Sequence, residues 1–517
     1  MKKLLFLILA LFLVASCTSK ANPIQQMLDE AYEKLVLPEM VEEDLVLPEI
    51  GLHEVEIQWT SSDEEILSTL GKITRGKQDE TILLTASLSL ENETRNKEFS
   101  IIVKGLPEDI NHALGYQFQM KEEIAEQYPY SKGYLYAGLY NKDGSKHEEF
   151  TVLPSTGKKI NVKLFGAKAD DPSFDNMLPF QNAIAAASYG DEVYVPKGKY
   201  YFSSASCTSP YYAHIQLKAG IHFKGEGKNE SILVSNFKNK EYVDKAIGKK
   251  TATVVCGNMS DATISSLGFS ANTDDSCLPK DINNTGINNP EGNQYAPAFG
   301  IVVYNNTLAT IAKNILIEDV YVEYFQYDGI RLYCTRDCKI KDSIITKATD
   351  LGGGGAGYGI EIRGYGHEYF KYVDTNLDSC YNVIENVTVV GPYIRHGIIL
   401  SYVTHNNLFY NNRVTDSADD AFDVHGQDEF LNFFIQNYAK GSRRGAGLGL
   451  GNTGSSHDES GYGNVVYENT FIECKYGITI TRGTQYTQVI KNTIEACTTG
   501  IYINNGPNTH QENNKIK

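Results

Sequence analysis

Seven short apolar runs, each closing on Asn or Asp, recur through the second half of the chain. They are Leu316-Ile317-Glu318-Asp319, Lys339-Ile340-Lys341-Asp342, Val383-Ile384-Glu385-Asn386, Leu408-Phe409-Tyr410-Asn411, Phe434-Ile435-Gln436-Asn437, Val466-Tyr467-Glu468-Asn469 and Val489-Ile490-Lys491-Asn492. Their last residues are 23, 44, 25, 26, 32 and 23 apart. A base period near 24 residues, lengthened by insertions, predicts stacked coils of a β-solenoid and excludes an ordinary α/β unit. A second set of runs lies out of phase with the first: Gly329–Leu332, Gly359–Ile362, Gly397–Leu400, Ala421–Val424, Gly447–Leu450, Gly477–Ile480 and Gly500–Ile503. Two strands per coil are therefore visible, and a third is expected.

Side chains alternate along a strand, and coils stack about 4.8 Å apart. If the apolar residues after each Gly or Ala point inward, the residues between them form outward columns. The first column reads Arg331, Glu361, Ile399, Asp423, Gly449, Thr479, Tyr502. The second reads Tyr333, Arg363, Ser401, His425, Gly451, Thr481, Asn504. Ionisable groups concentrate in the middle coils, and the coil of Gly449 and Gly451 is expected to leave room for a ligand. Just before the same strands stand Arg395-His396 and Asp419-Asp420. The mixed-sign cluster predicts a functional site. Its candidate catalytic residues are Arg363, Arg395, His396, Asp420, Asp423 and His425, and its candidate substrate-binding residues are Arg331, Tyr333, Tyr358, Tyr402, Asp419 and Arg443. The glycines 352–355 lack the following Gly-Lys-Ser/Thr of a phosphate loop and are read as an insertion wall.

The repeat region opens at Ile160 with Asn161-Val162-Lys163-Leu164-Phe165-Gly166-Ala167-Lys168. An apolar-periodic helix from Met177 to Ala187 and the stretch Asp191–Tyr200, which contains Val195-Pro196-Lys197-Gly198, come next. This opening resembles that of the pectate-lyase-like, rhamnogalacturonase/epimerase superfamily, with Leu164 where the family often has Asp. The resemblance implies an all-β chain folded as a right-handed parallel β-helix over residues 160–517, its open end capped by the helix.

Upstream, Met1-Lys2-Lys3 and twelve apolar residues from Leu4 to Ala15 have the length of a signal peptide and are short for a membrane span. Val14-Ala15-Ser16-Cys17 resembles the bacterial lipoprotein box. That implies removal of residues 1–16, lipidation of Cys17, a tether over 17–24 and attachment to a membrane of the cell envelope. Residues 25–105 contain strand-like Val55–Trp59, Ile82–Leu88 and Phe99–Val103. Trp59-Thr60-Ser61-Ser62-Asp63 and Leu70–Arg75 resemble the reduced immunoglobulin-like modules of bacterial polysaccharide-degrading enzymes, which implies a small β-sandwich acting as spacer or glycan binder. Residues 106–159 are read as a connecting segment. The eight Cys other than Cys17 are expected to be core thiols in a chain large enough to need no disulfide staples; Cys334 and Cys338 lack the second pair of a zinc site.

The chain carries 47 Lys+Arg against 64 Asp+Glu, a net charge of −17. That balance argues against nucleic acid as a partner. Removal of Lys2 and Lys3 with the signal would take it to −19. An acidic polysaccharide would then need a local field reversed by Arg or a bound cation. Calcium is the candidate cofactor, with Glu361 as its ligand beside Asp419, Asp420 and Asp423.

Three chemistries suit the cluster. β-Elimination on a uronate polysaccharide needs a cation on the carboxylate, a base for the C5 proton and an acid for the leaving oxygen. Arg395-His396-Gly397 resembles the Arg-His-Gly of the chondroitinase-B and alginate-lyase β-helix family. The resemblance implies a catalytic role for Arg395 and acidic ligands for calcium. The family's Lys base falls near Arg363, so the resemblance leaves the base to His425 or His396. The strand Arg395–Tyr402 also looks like that of mannuronan C5-epimerases, which share proton abstraction. Hydrolysis is the alternative: Asp419-Asp420-Ala421-Phe422-Asp423 is similar to the paired-Asp strand of polygalacturonases, although Ala446 stands where that family has His and Arg395-His396-Gly397 where it has Asn-Thr-Asp-Gly. A non-catalytic glycan-binding solenoid is the third reading. Lyase or epimerase chemistry is favoured.

Overall fold

The computed structural model describes residues 22–41, 44–75, 79–105, 118–119, 133–148, 150–238, 250–283, 295–352, 355–365, 372–425, 428–451 and 461–517. The lipoprotein-like segment, Cys17 included, and Gly353 and Gly354 of the glycine run lie outside them. The chain forms two compact units, residues 1–116 and 117–517. No helix among the described residues is long and apolar enough to cross a membrane.

The first unit is an immunoglobulin-like domain built on a four-stranded sheet. Strands Glu56–Ser61, Glu80–Leu90 and Glu93–Val103 form its antiparallel meander. Ile82, Leu84, Ala86 and Leu88 alternate inward along the central strand, so one face is buried as a period of two requires. Part of that face is covered by helix Pro23–Lys34, which the sequence reading did not anticipate. Asn22 caps this helix through its side chain, Pro23 opens it, and Leu28 and Ala31 are its buried contacts.

The second unit is a parallel β-helix whose described strands stack in three main ladders, with a short fourth through 335–336, 379–380, 404–405 and 429–430. One ladder, an eleven-stranded sheet, contains 299–304, 328–333, 358–363, 396–401, 422–424, 446–450, 476–481 and 499–504. Two further ladders stack 339–341, 383–385, 408–410, 433–435, 465–467, 488–490 and 510–512, and 344–346, 388–390, 413–415, 438–440, 470–472, 493–495 and 515–516. The third strand per coil is thus present. Helix Met177–Ala186 buries Phe180, Ala183 and Ile184 against Tyr200, Phe202 and Phe223 at the N-terminal end.

The repeats differ from the sequence alignment by one residue. Asp319, Asp342, Asn386, Asn411, Gln436, Glu468, Lys491 and Asn513 are the equivalent positions, all left-handed with φ between 49° and 55°. The residue after each turns inward. Asn412, Asn437, Asn469, Asn492 and Asn514 form a ladder there, the last four each accepting from the backbone N–H and side-chain amide of the Asn in the previous coil. Asn411 therefore belongs with Gln436, not Asn437. Asn is favoured at both neighbouring positions for different reasons, which hides the slip. A second ladder runs through Asn382, Asn407, Asn432 and Asn464.

Residues 133–148, expected as part of a connecting segment, belong to this second unit. The Asn406 side-chain amide donates to Tyr136 O and Gly138 O, Gly138 N–H donates to Leu431 O, and His147 stacks on Tyr381 at 3.6 Å. All eight described Cys are free thiols.

Asn437→Ala removes the acceptor of Asn412 and strands buried donors. It should cost about 2–4 kcal/mol, whereas Asn411→Gly, at an exposed left-handed position, should stay within about 0.5 kcal/mol. Urea unfolding midpoints of the two variants check this.

Candidate functional site

Pairing between coils places both outward columns as the period of two requires. Arg331, Glu361, Ile399, Asp423, Gly449, Thr479 and Tyr502 are successive partners. Tyr333, Arg363 and Ser401 follow in the second column. A third column, one step nearer the N-terminus of each strand, was missed: Phe299, Asp328, Tyr358 and His396 are successive partners. The register of Ile398 with Phe422 carries it on to Asp420. Its members stand three residues before those of the first column, on the far side of Gly329, Gly359 and Gly397, so a strict period of two steps over them.

The three columns line a cavity of about 490 Å³. Its walls are Phe299, Tyr327, Arg331, Gly355, Tyr358, Glu361, Arg363, Arg395, Ser401, Tyr402 and His425. Of the residues expected at the site, Arg331, Tyr358, Glu361, Arg363, Arg395, Tyr402 and His425 line it. His396, Asp419, Asp420 and Asp423 stand behind them. Tyr333 packs near Tyr365. Arg443 donates to the carbonyls of Asp416, Ile282 and Pro392 and does not line the cavity. Its neighbour Arg444 was not anticipated, and its Nη2 lies 2.6 Å from Asp419 Oδ1.

The charges form two connected groups. In one, Arg331 is held by Asp328 and lies 2.7 Å from Glu361, which also faces Arg363 at 3.5 Å. Burial opposes ionisation of Glu361, but the two arginines hold its carboxyl below the usual range. Burial and the charge of Glu361 push Asp328 well above it. Arg331 lies over the Phe299 ring at 4.4 Å and Arg363 over Tyr402 at 4.6 Å.

In the other group, Asp423 Oδ2 sits 3.0 Å from His396 Nδ1 and 3.2 Å from His425 Nδ1. Burial works against its charge, yet the attraction of the two imidazoles holds the carboxyl well below its ordinary range. His425 is raised in turn: burial lowers it and the Asp423 carboxylate overrides that. Asp419 is likewise depressed, with His396, Arg444 and Arg395 outweighing its desolvation. Asp420 behaves oppositely, pushed up to about 7 by burial and by the nearby Asp423 charge. Its carboxylate accepts from Ala446 N–H and lies across Gly449, where a Cβ would come within 3.1 Å of it. The space at Gly449, expected to admit a ligand, is filled by Asp420.

This donor set does not fit calcium. Ca²⁺ takes about 6–8 oxygen ligands, and Glu361 is turned to two guanidinium groups. Asp419 is engaged by Arg395 and Arg444. The compact set here is His396, Asp420 and Asp423, with ligand atoms within 4.8 Å of one another and an imidazole among them.

Residues 24–106 match the atrophied bacterial Ig domain, 376–517 the right-handed beta helix region, and 159–443, more than half the chain, the rhamnogalacturonase A/epimerase, pectate lyase-like family. The chain belongs to that family. A polysaccharide-active β-helix enzyme fits both this family and the pocket. Among solved structures it is similar to the mannuronan C-5 epimerase AlgE6 A-module of Azotobacter vinelandii (17% identity, covering 69% of this chain and 99% of that one, TM-score 0.42). It is also similar to an alginate lyase from Paenibacillus sp. str. FPU-7 (14%, 69% and 99%, 0.39) and an exopolygalacturonase from Thermotoga maritima (12%, 71% and 94%, 0.46). Comparison with curated proteins finds no match.

Between the unfolded carboxyl value near 3.8 and the folded value near 7, native Asp420 binds more protons than the unfolded chain. Its contribution to stability therefore falls as pH rises through that window. Asp420→Asn should stabilise the protein at pH 8 by about 1–2 kcal/mol, less than the full shift implies because the carboxyl is partly exposed. The gain should vanish near pH 4, as read from chemical denaturation at the two pH values.

Proposed function

We propose that this family member acts on a uronate-containing polysaccharide by abstracting the C5 proton, as a lyase or a C5-epimerase. The observation that carries the reading is the cavity wall itself. It gathers Arg331, Arg363, Arg395 and His425, while Asp419, Asp420 and Asp423 stand behind it.

Proton abstraction next to a carboxylate requires that the developing enolate charge be neutralised. Arg363 and Arg395 are the cations for it: Arg363 has only a distant carboxylate partner, at 3.5 Å, and Arg395 shares Asp419 with Arg444, whereas Arg331 sits between Asp328 and Glu361. His425 is the base. Asp423 lies against its Nδ1, which sets the ring orientation and leaves Nε2 on the opposite side of the ring. Tyr358 is the acid for the glycosidic oxygen in a lyase, or for reprotonation in an epimerase. Burial raises its phenol, so it keeps its proton through the neutral range. His396 lies against Asp423 behind the base, and Asp419 pairs with Arg395.

One observation favours hydrolysis: Asp420 and Asp423 have their pKa values driven apart, as an acid and a base would. Neither lines the cavity, and Asp423 is clamped by two imidazoles. Elimination or epimerisation is therefore preferred. Export and lipid anchorage at Cys17 complete the proposal, placing the enzyme on a membrane of the cell envelope.

The test incubates the protein with alginate, pectate and chondroitin, following ultraviolet absorbance of the unsaturated product and, in D₂O, deuterium entry at C5. Either signal should fall at least about 100-fold in kcat/KM in Arg395→Ala and His425→Ala. His425 acts unprotonated, so kcat/KM should climb with pH through a midpoint above the ordinary histidine value of 6.5. Asp423→Asn should move that midpoint to lower pH. New reducing ends with neither signal would establish the hydrolase instead.

Anchorage has its own check. Cys17→Ser should shift the protein from the detergent-rich to the aqueous phase on detergent partition of cells expressing it.

A further inference from the structure

On the ladder that carries the cavity, one backbone hydrogen bond follows the end of each strand from coil to coil. Asn258 N–H donates to Tyr304 O, Asn305 N–H to Tyr333 O, Cys334 N–H to Arg363 O, and Gly364 N–H to Ser401 O at 3.1 Å, shared with Tyr402 O at 2.8 Å. Tyr402 is the next donor in this series, being one residue beyond Ser401 as Gly364 is one beyond Arg363. The equivalent acceptor would be the carbonyl of His425. Instead Tyr402 N–H donates to the side chain of Glu429, 2.6 Å from Oε1.

The exchange coincides with a change in the coil. Strands 328–333, 358–363 and 396–401 have six residues, whereas Phe422–Val424 has three and His425 lies just beyond its end. Glu429 is fully buried, and its other oxygen has no hydrogen-bond partner among the described residues. A buried carboxyl thus stands in for a missing main-chain acceptor at the cavity wall. The backbone it holds is strained. Tyr402 and Val403 are both left-handed, with φ of 51° and 41°, a region that β-branched Val rarely occupies. The Tyr402 ring lines the cavity beneath the Arg363 guanidinium.

We propose that Glu429 is a positioning residue: by replacing the His425 carbonyl in the ladder it sets Tyr402, and through it Arg363, in the substrate-binding wall. Its effect on turnover rests on the function proposed above; its effect on Tyr402 does not. Removing the acceptor leaves a buried N–H unsatisfied beside a strained turn, and the turn relaxes. The amide of Gln retains an acceptor oxygen of the same reach.

Glu429→Ala and Glu429→Gln are compared in the full chain by crystallography and, on the polysaccharide that wild type turns over, by kinetics. In Glu429→Ala we expect Tyr402 and Arg363 displaced and kcat/KM lowered about tenfold, mainly through KM. In Glu429→Gln we expect the wild-type wall and kcat/KM within about threefold of wild type. The double variant Glu429→Ala/Tyr402→Ala should lose no more than Tyr402→Ala alone. Unmoved Tyr402 in Glu429→Ala, additive losses in the double variant, or a Gln variant as impaired as Ala overturns the proposal. If wild type turns over no polymer in the panel, the function proposed above fails, and the position of Tyr402 in the two crystal structures still decides for or against Glu429. Should Glu429→Ala not fold, Glu429→Gln decides alone: a displaced Tyr402 overturns the assignment and an unmoved one supports it.

Discussion

Each coil of a parallel solenoid passes its backbone hydrogen bonds to the next coil, and that exchange allows almost no freedom in register. Arg331 must face Glu361, and Tyr333 must face Arg363, because the chain between them closes one coil however long its loop. The asparagine ladders reinforce the constraint from inside, binding each turn to the turn above through side chains that mimic backbone groups. Everything at the cavity depends on this rigidity. Charged side chains close enough to shift one another's ionisation would relax apart on a loop. Here they project from strands whose spacing the ladder dictates.

That regularity is why the fold was legible in the sequence, and why its limits lay where regularity ends. Inward apolar residues at alternate positions after Gly329, Gly359, Gly397 and Gly477 mark the ladder without ambiguity. The one-residue slip at Asn411 arose because two neighbouring positions both suit Asn, one for its tolerance of left-handed backbone and the other for its amide. Helix Pro23–Lys34 was invisible at the level of strand patterns, since its buried face is only Leu28 and Ala31. Residues 133–148 carry no period because they contribute single anchoring contacts rather than a repeating element.

The site was legible in its columns and illegible in its depth. Period-two reasoning distinguishes inward from outward, so Arg331, Arg363 and His425 were found on the correct face. It cannot rank outward groups by distance from the cavity. Asp420 and Asp423 are outward by position yet stand behind the wall, because Asp420 folds across Gly449 and Asp423 is drawn between two imidazoles. Glu429 belongs to the short ladder of 379–380, 404–405 and 429–430, whose two-residue strands show no period in the sequence, and it reaches the cavity ladder where a strand stops early.

The net charge of −17 and a cationic cavity are reconciled by the same layering. Most acids near the cavity pair with the wall from behind, and Glu361 pairs with two arginines within it. Asp328 and Glu361 compensate Arg331, Asp419 compensates Arg395 and Arg444, and Asp423 engages both histidines. Each acid fixes the orientation of a cationic or basic group while exposing little negative charge to the cavity. Desolvated pairs of this kind add little to stability in themselves, but they hold long arginine side chains in one geometry. Arg363 is the exception. Its pairing with Glu361 is the loosest of the set, at 3.5 Å, and an aromatic ring supports its other contact. A guanidinium held by a π face retains more of its field than one held by a carboxylate at contact distance. In this wall it is therefore the group best placed to meet an incoming anion.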